Sequence, residues 1–210
     1  SFIERKIAKF FVNKKISSVI VEFKKFSNIK TITTFSERVK ESIISAKVVL
    51  NYFSSLSEID TNKIATIGIS LGGFRAMYLA GIEPKIKATT LVVTGESLSE
   101  SISRSKLALA HRLRRLHMGS IQTNYIDKYV KELKKNLALQ EISHRRKEHY
   151  LLFMAEKDHI VPYNQQQKLW EKLSKPKHSI ITGGHFLGVL YYSFRGLTKT
   201  LNFFKKRWKQ

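Results

Sequence analysis

Apolar positions along this chain follow two rhythms. Phe2, Ile3, Ile7, Phe10 and Phe11 recur at helical spacing. A longer stretch from Phe35 to about Leu56 sets Val39, Ile43, Ala46, Leu50 and Phe53 on one face, with Ser36 placed to cap its start. Short β-branched runs alternate with these helical patterns. Residues 16–23 (ISSVIVEF), 63–70 (KIATIGIS) and 86–94 (IKATTLVVT) read as strands, and 72–81 (GGFRAMYLAG) reads as a helix closed by Gly81.

Residues 96–149 break the rhythm with two basic helical pieces, RSKLALAHRLRRLH and YIDKYVKELKKNLALQEI. The alternation then resumes: strand 150–155, helix 164–173, strand 177–182 and a final amphipathic helix from about Phe186 to Trp208. Strands alternating with helices build parallel βαβ units with right-handed crossovers. The pattern predicts a single α/β domain over 1–210, with a mostly parallel sheet of about five strands. Segment 96–149 is expected to form a helical cap inserted above that sheet.

Composition narrows the class. At 42% hydrophobic and 26% charged the chain is globular, not disordered. Charge breaks every apolar stretch within a few residues, so no segment is expected to span a membrane. The start, SFIERKIAKFFVNKK, lacks the continuous apolar core of a secretory signal. A weak lean to a cytoplasmic or peripheral-membrane location follows, and Ser1 in place of Met suggests processing or truncation. Cysteine is absent, which excludes disulfides, thiolate-held zinc and a cysteine nucleophile. No metal or organic cofactor is implied.

Candidate chemistry begins at Gly68-Ile69-Ser70-Leu71-Gly72, a G-x-S-x-G pattern with a strand leading in and a helix leading out. Gly68, Gly72 and the following Gly73 let strand and helix approach closely around a tight turn. Ser70 then stands above the carboxyl edge of the sheet at a helix N-terminus, where developing negative charge is favoured. A serine nucleophile needs a base, and the base needs an orienting acid. Asp158 follows strand 150–155 and His185 follows strand 177–182, both at carboxyl ends of parallel strands. Glu156 and Glu96 compete for the acid's place. His111, His117, His144 and His149 lie in the basic insertion, while His159 adjoins the acid and His178 begins a strand.

The segments IDTNKIATIGISLGGFRAMYLAG, LLFMAEKDHIVP and ITGGHF resemble the α/β-hydrolase superfamily. The likeness is to bacterial serine hydrolases of the dienelactone-hydrolase and prolyl-oligopeptidase-like groups, and it runs from about Val19 to the C-terminus. It implies an α/β-hydrolase fold with Ser70 as nucleophile, His185 as general base and Asp158 as its orienter. The Leu71 N–H would be one oxyanion donor, and a carboxylic ester would be cleaved through an acyl-enzyme. One departure stands out. Relatives carry two or three further strands and a second oxyanion donor upstream, and no His-Gly loop precedes Ser70 here. The chain is therefore expected to be either a fragment of a longer protein or a compact variant.

Charge adds a second theme. Thirty-eight Lys and Arg against 16 Asp and Glu give +22, which draws a chain to polyanions. Arg104, Lys106, Arg112, Arg114, Arg115, Lys131, Lys134, Lys135 and residues 145–147 make the insertion basic, and Lys205, Lys206, Arg207 and Lys209 make the tail so. Trp208, flanked by these cations at a helix end, suits a membrane interface as an anchor. The candidate partners are a small-molecule or lipid-like ester and an anionic membrane surface. Nucleic acid is disfavoured because no recognition motif is visible. Rival readings are an inactive hydrolase-fold scaffold that binds an anionic partner, and an acyltransferase or peptidase using the same three residues.

Overall fold

The computed structural model describes residues 2–22, 32–106, 108, 110, 111, 115 and 147–209. Its centre is a four-stranded parallel sheet in the order β1-β2-β3-β4. The strands are β1 (Ile64–Ile69), β2 (Ile86–Val92), β3 (Tyr150–Ala155) and β4 (Lys177–Ile181). Helix α1 (Phe2–Val12) and helix α2 (Ile32–Ser54) precede the sheet. Helix α3 (Leu71–Ile82) links β1 to β2, helix α4 (Leu98–Arg104) follows β2, and helix α5 (Tyr163–Lys172) links β3 to β4. Helix α6 (His185–Tyr191), a π turn (Tyr192–Gly196) and helix α7 (Leu197–Arg207) close the chain.

Two apolar layers sandwich the sheet, and β3 shows how. Tyr150, Leu152 and Met154 face a cluster with Phe35, Val39, Ile43, Phe74, Met77 and Leu169. Leu151, Phe153 and Ala155 face the other way, onto Ile7, Phe11, Tyr192, Leu201 and Phe204. Successive strand residues point to opposite faces, so a strand apolar at every position is one covered on both sides. All six residues of β3 are buried. Helices α2, α3 and α5 cover one face, while α1, α6 and α7 cover the other.

Four expectations change. The run 16–23 forms no strand over its described part, 16–22, and the sheet has four strands among the described residues. β-branched residues favour strands only where a neighbour and a packed face exist; here Val19 and Ile20 are 49% and 36% exposed. Helix α2 starts one turn early, at Ile32, so it runs through Ser36 rather than starting from it. Helix α3 passes Gly81 and ends at Glu83, whose buried carboxylate pairs with Lys47 of α2 at 2.8 Å. The single terminal helix is interrupted by the π turn. Of segment 96–149, α4 and the turn Lys147–His149 are described; most of the expected cap lies outside the described residues.

Candidate active site

The carboxyl ends of the four strands converge through backbone hydrogen bonds. Ser70 N–H donates to the Val92 carbonyl at 2.9 Å, and Val93 N–H to Phe153 at 2.8 Å. Glu156 N–H reaches Ile181 at 3.1 Å and Lys157 N–H reaches Gly183 at 2.9 Å. The loops bearing Ser70, Asp158 and His185 thus continue the pairing of their strands, which places all three residues on one edge of the sheet.

Ser70 adopts φ 52° and ψ −121° at the start of α3. A non-glycine residue at positive φ costs about 1–3 kcal/mol and persists only where its surroundings enforce it. The enforcement is steric. A Cβ at Gly68 would lie 2.5 Å from the Gly73 Cα and 2.7 Å from the Ala76 Cβ, and one at Gly73 would collide with Thr94. Gly72 differs, because a Cβ there meets nothing within 4 Å. The steric account of the motif therefore rests on Gly68 and Gly73, and space is open beside Gly72. Carbonyl Ser70 accepts from Gly73 N–H at 2.8 Å and from Phe74 N–H at 3.4 Å. The N–H groups of Leu71 and Gly72 fall in the first turn, where no intrahelical partner exists.

Asp158 and His185 form a tight buried pair. His185 Nδ1 lies 2.7 Å from Asp158 Oδ2, with side-chain exposures of 8% and 0%. Asp158 Oδ1 accepts from Ile160 and Val161 N–H at 2.8 and 2.9 Å, and Oδ2 also accepts from Gln166 Nε2 at 3.1 Å. Gln166 is fully buried on α5 and bonds as well to the Val161 carbonyl and the Ala155 N–H. A carboxylate so filled with donors is fixed in place. With a proton on Nδ1, the imidazole donates to Asp158 and turns an unprotonated Nε2 outward. Among the described residues, no hydrogen bond joins the Ser70 hydroxyl to His185.

The competitors sit elsewhere. Glu156 is exposed, and Glu96 pairs with Lys172 at 2.8 Å. His178 lies edge-on to Trp170, His159 and His111 are exposed, and His149 approaches Arg207. His117 and His144 lie outside the described residues, as do Arg112, Arg114, Lys131, Lys134 and Lys135. Burial of Arg75 on α3 lowers its guanidinium pKa to about 10, so it stays cationic at neutral pH. Burial, with help from the charge of Glu96, raises the Tyr78 hydroxyl to about 12.

Residues 47–207 match the family described as BAAT / acyl-CoA thioester hydrolase C terminal. No curated protein matches the chain. Among solved structures, acetyl xylan esterase 1 from a Thermoanaerobacterium species is similar at TM-score 0.67 and 13% identity, over 95% of this chain and 69% of that one. The α/β-hydrolase GrgF from a Penicillium species is similar at TM-score 0.65 and 18% identity, over 98% of this chain and 85% of that one. A Paenibacillus acetyl xylan esterase is similar at TM-score 0.64 and 16% identity, over 80% of this chain and 53% of that one. The architecture is the α/β-hydrolase fold.

Proposed function

Because the chain belongs to the BAAT / acyl-CoA thioester hydrolase C-terminal family, we propose that it hydrolyses acyl substrates, carboxylic esters or thioesters, with Ser70 as nucleophile. The observation that carries this is the buried Asp158–His185 pair on the sheet edge that also bears a serine strained to positive φ. His185 Nε2 takes the hydroxyl proton as Ser70 Oγ bonds to the acyl carbon. The oxyanion faces the Leu71 N–H. Collapse breaks the bond to the alcohol or thiol, which leaves with the proton from His185. Water, deprotonated by His185, then releases the acid and restores Ser70. The +22 charge suits an acyl group carried on an anionic leaving group such as a phosphorylated thiol.

One observation favours the rival scaffold reading, namely the absence of a hydrogen bond from Ser70 to His185 among the described residues. Such bonds are often long in unliganded sites. Labelling with a fluorophosphonate, wild type beside Ser70→Ala and His185→Ala, separates the two. Stoichiometric labelling that both substitutions abolish is the expected result. A folded wild type that stays unlabelled would establish the scaffold.

A further inference from the structure

Outside the site, the least ordinary surface is the outer side of α6 and the π turn. Phe186, Leu187, Leu190 and Phe194 are 75%, 50%, 51% and 66% exposed. With Ile180 of β4, the last three of these border a shallow groove of about 350 Å³. Monomers seldom leave so many large apolar side chains contiguous and in water without a partner for them. Cations stand among them. Lys6 Nζ lies 3.0 Å from the centre of the Phe194 ring, and Arg195 lines the groove. By contrast, the tail tryptophan that the sequence suggested as an anchor is occupied, since Trp208 packs on Phe204 at 5.6 Å.

We infer that this face docks the protein onto an anionic lipid surface. Charge selects the occupant. A second copy would bring another +22 against the same cationic rim, a like-charge approach that association avoids. An anionic bilayer attracts each nearby Lys or Arg and accepts the apolar side chains at the headgroup boundary. The position matters too. Phe186 directly follows His185 and meets its ring edge-on at 5.8 Å, so the docked face adjoins the candidate site. An acyl substrate drawn from the bilayer would reach that site without crossing water. Docking itself does not depend on the chemistry proposed for Ser70.

The test is flotation with vesicles of phosphatidylcholine alone and of phosphatidylcholine with phosphatidylserine, using Ser70→Ala protein so that turnover plays no part. Binding is expected to the anionic vesicles only. The double substitution Leu190→Gln with Phe194→Gln removes apolar surface and leaves charge unchanged, and should lower partitioning on the order of tenfold or more. A circular-dichroism melt checks that the exposed substitutions leave the fold intact. The inference is overturned if anionic vesicles do not bind, or if the double variant binds as well as its parent, which would mean charge elsewhere does the work. It is also overturned if sedimentation shows a dimer that the double variant dissolves, because the face would then belong to a second copy.

Discussion

The two halves of the candidate site are held by different forces. On the β3–β4 side, Asp158 is gripped by two backbone N–H groups, an amide side chain and an imidazole, and β3 is buried along its length. On the β1 side, Ser70 has no comparable set of side-chain bonds among the described residues. It is held by backbone bonds and by the near-collision of Gly68 and Gly73 with their neighbours, on an edge strand that is mostly half-buried. The proposed base is oriented by hydrogen bonding and the proposed nucleophile by packing. A hydrogen-bonded group fails when one partner is removed, whereas a sterically held one fails when a methyl group is added.

The largest effect should come from the proposed nucleophile. Ser70→Ala is expected to cut hydrolysis of an activated ester about ten-thousandfold or more while leaving the melting temperature at or above wild type, since the strained residue loses a hydroxyl and no packing. A residual rate near wild type would place the chemistry elsewhere. Next, Gly73→Ala forces a methyl group into Thr94 and should destabilise by roughly 1–3 kcal/mol; Gly72→Ala, into open space, should change stability by less than about 0.5 kcal/mol. Equal losses in denaturant melts would break the steric account of the Ser70 side.

On the other side, Gln166→Leu strips a donor from Asp158 and leaves the buried Ala155 N–H without its acceptor. A loss of roughly 1–3 kcal/mol is expected, together with slower labelling of an intact Ser70. Unchanged labelling would show that Asp158 needs no such support.

The smallest effect is alkaline. Tyr78 ionises near pH 12 in the folded chain and near pH 10 in the unfolded one. Over that window only the unfolded state gains charge, so stability falls as pH rises through it. Tyr78→Phe should lose less stability than wild type there, by about 1–2 kcal/mol; below pH 9 or so the two should run in parallel.

Much of this was legible in the residue pattern, for identifiable reasons. β3 is an uninterrupted apolar run, and its predicted bounds, 150–155, match the structure. That Asp158 and His185 lie side by side could be expected because a parallel sheet directs loop residues to one edge. The strand expected at 16–23 misled because propensity is local and pairing is not. Gln166 went unnoticed in a polar stretch, NQQQ. Its signal was phase: it lies three and seven residues before Leu169 and Leu173, which places it on the buried face of α5. The spare space at Gly72 had no signal at all, since a motif glycine looks the same whether crowded or free.

The π turn between α6 and α7 has an evolutionary meaning. A π turn holds one residue more than the α-helical turn it replaces, and each helical residue turns the chain by about 100°. Deleting one residue from Tyr192–Gly196 would therefore let an ordinary α turn take its place, with Leu197, Leu201 and Phe204 kept in the core. A single-codon deletion within α7 has no such slack and would turn everything downstream of it by that angle, toward water. Length variation in this part of the chain should accordingly be tolerated at residues 192–196 and resisted at 197–207.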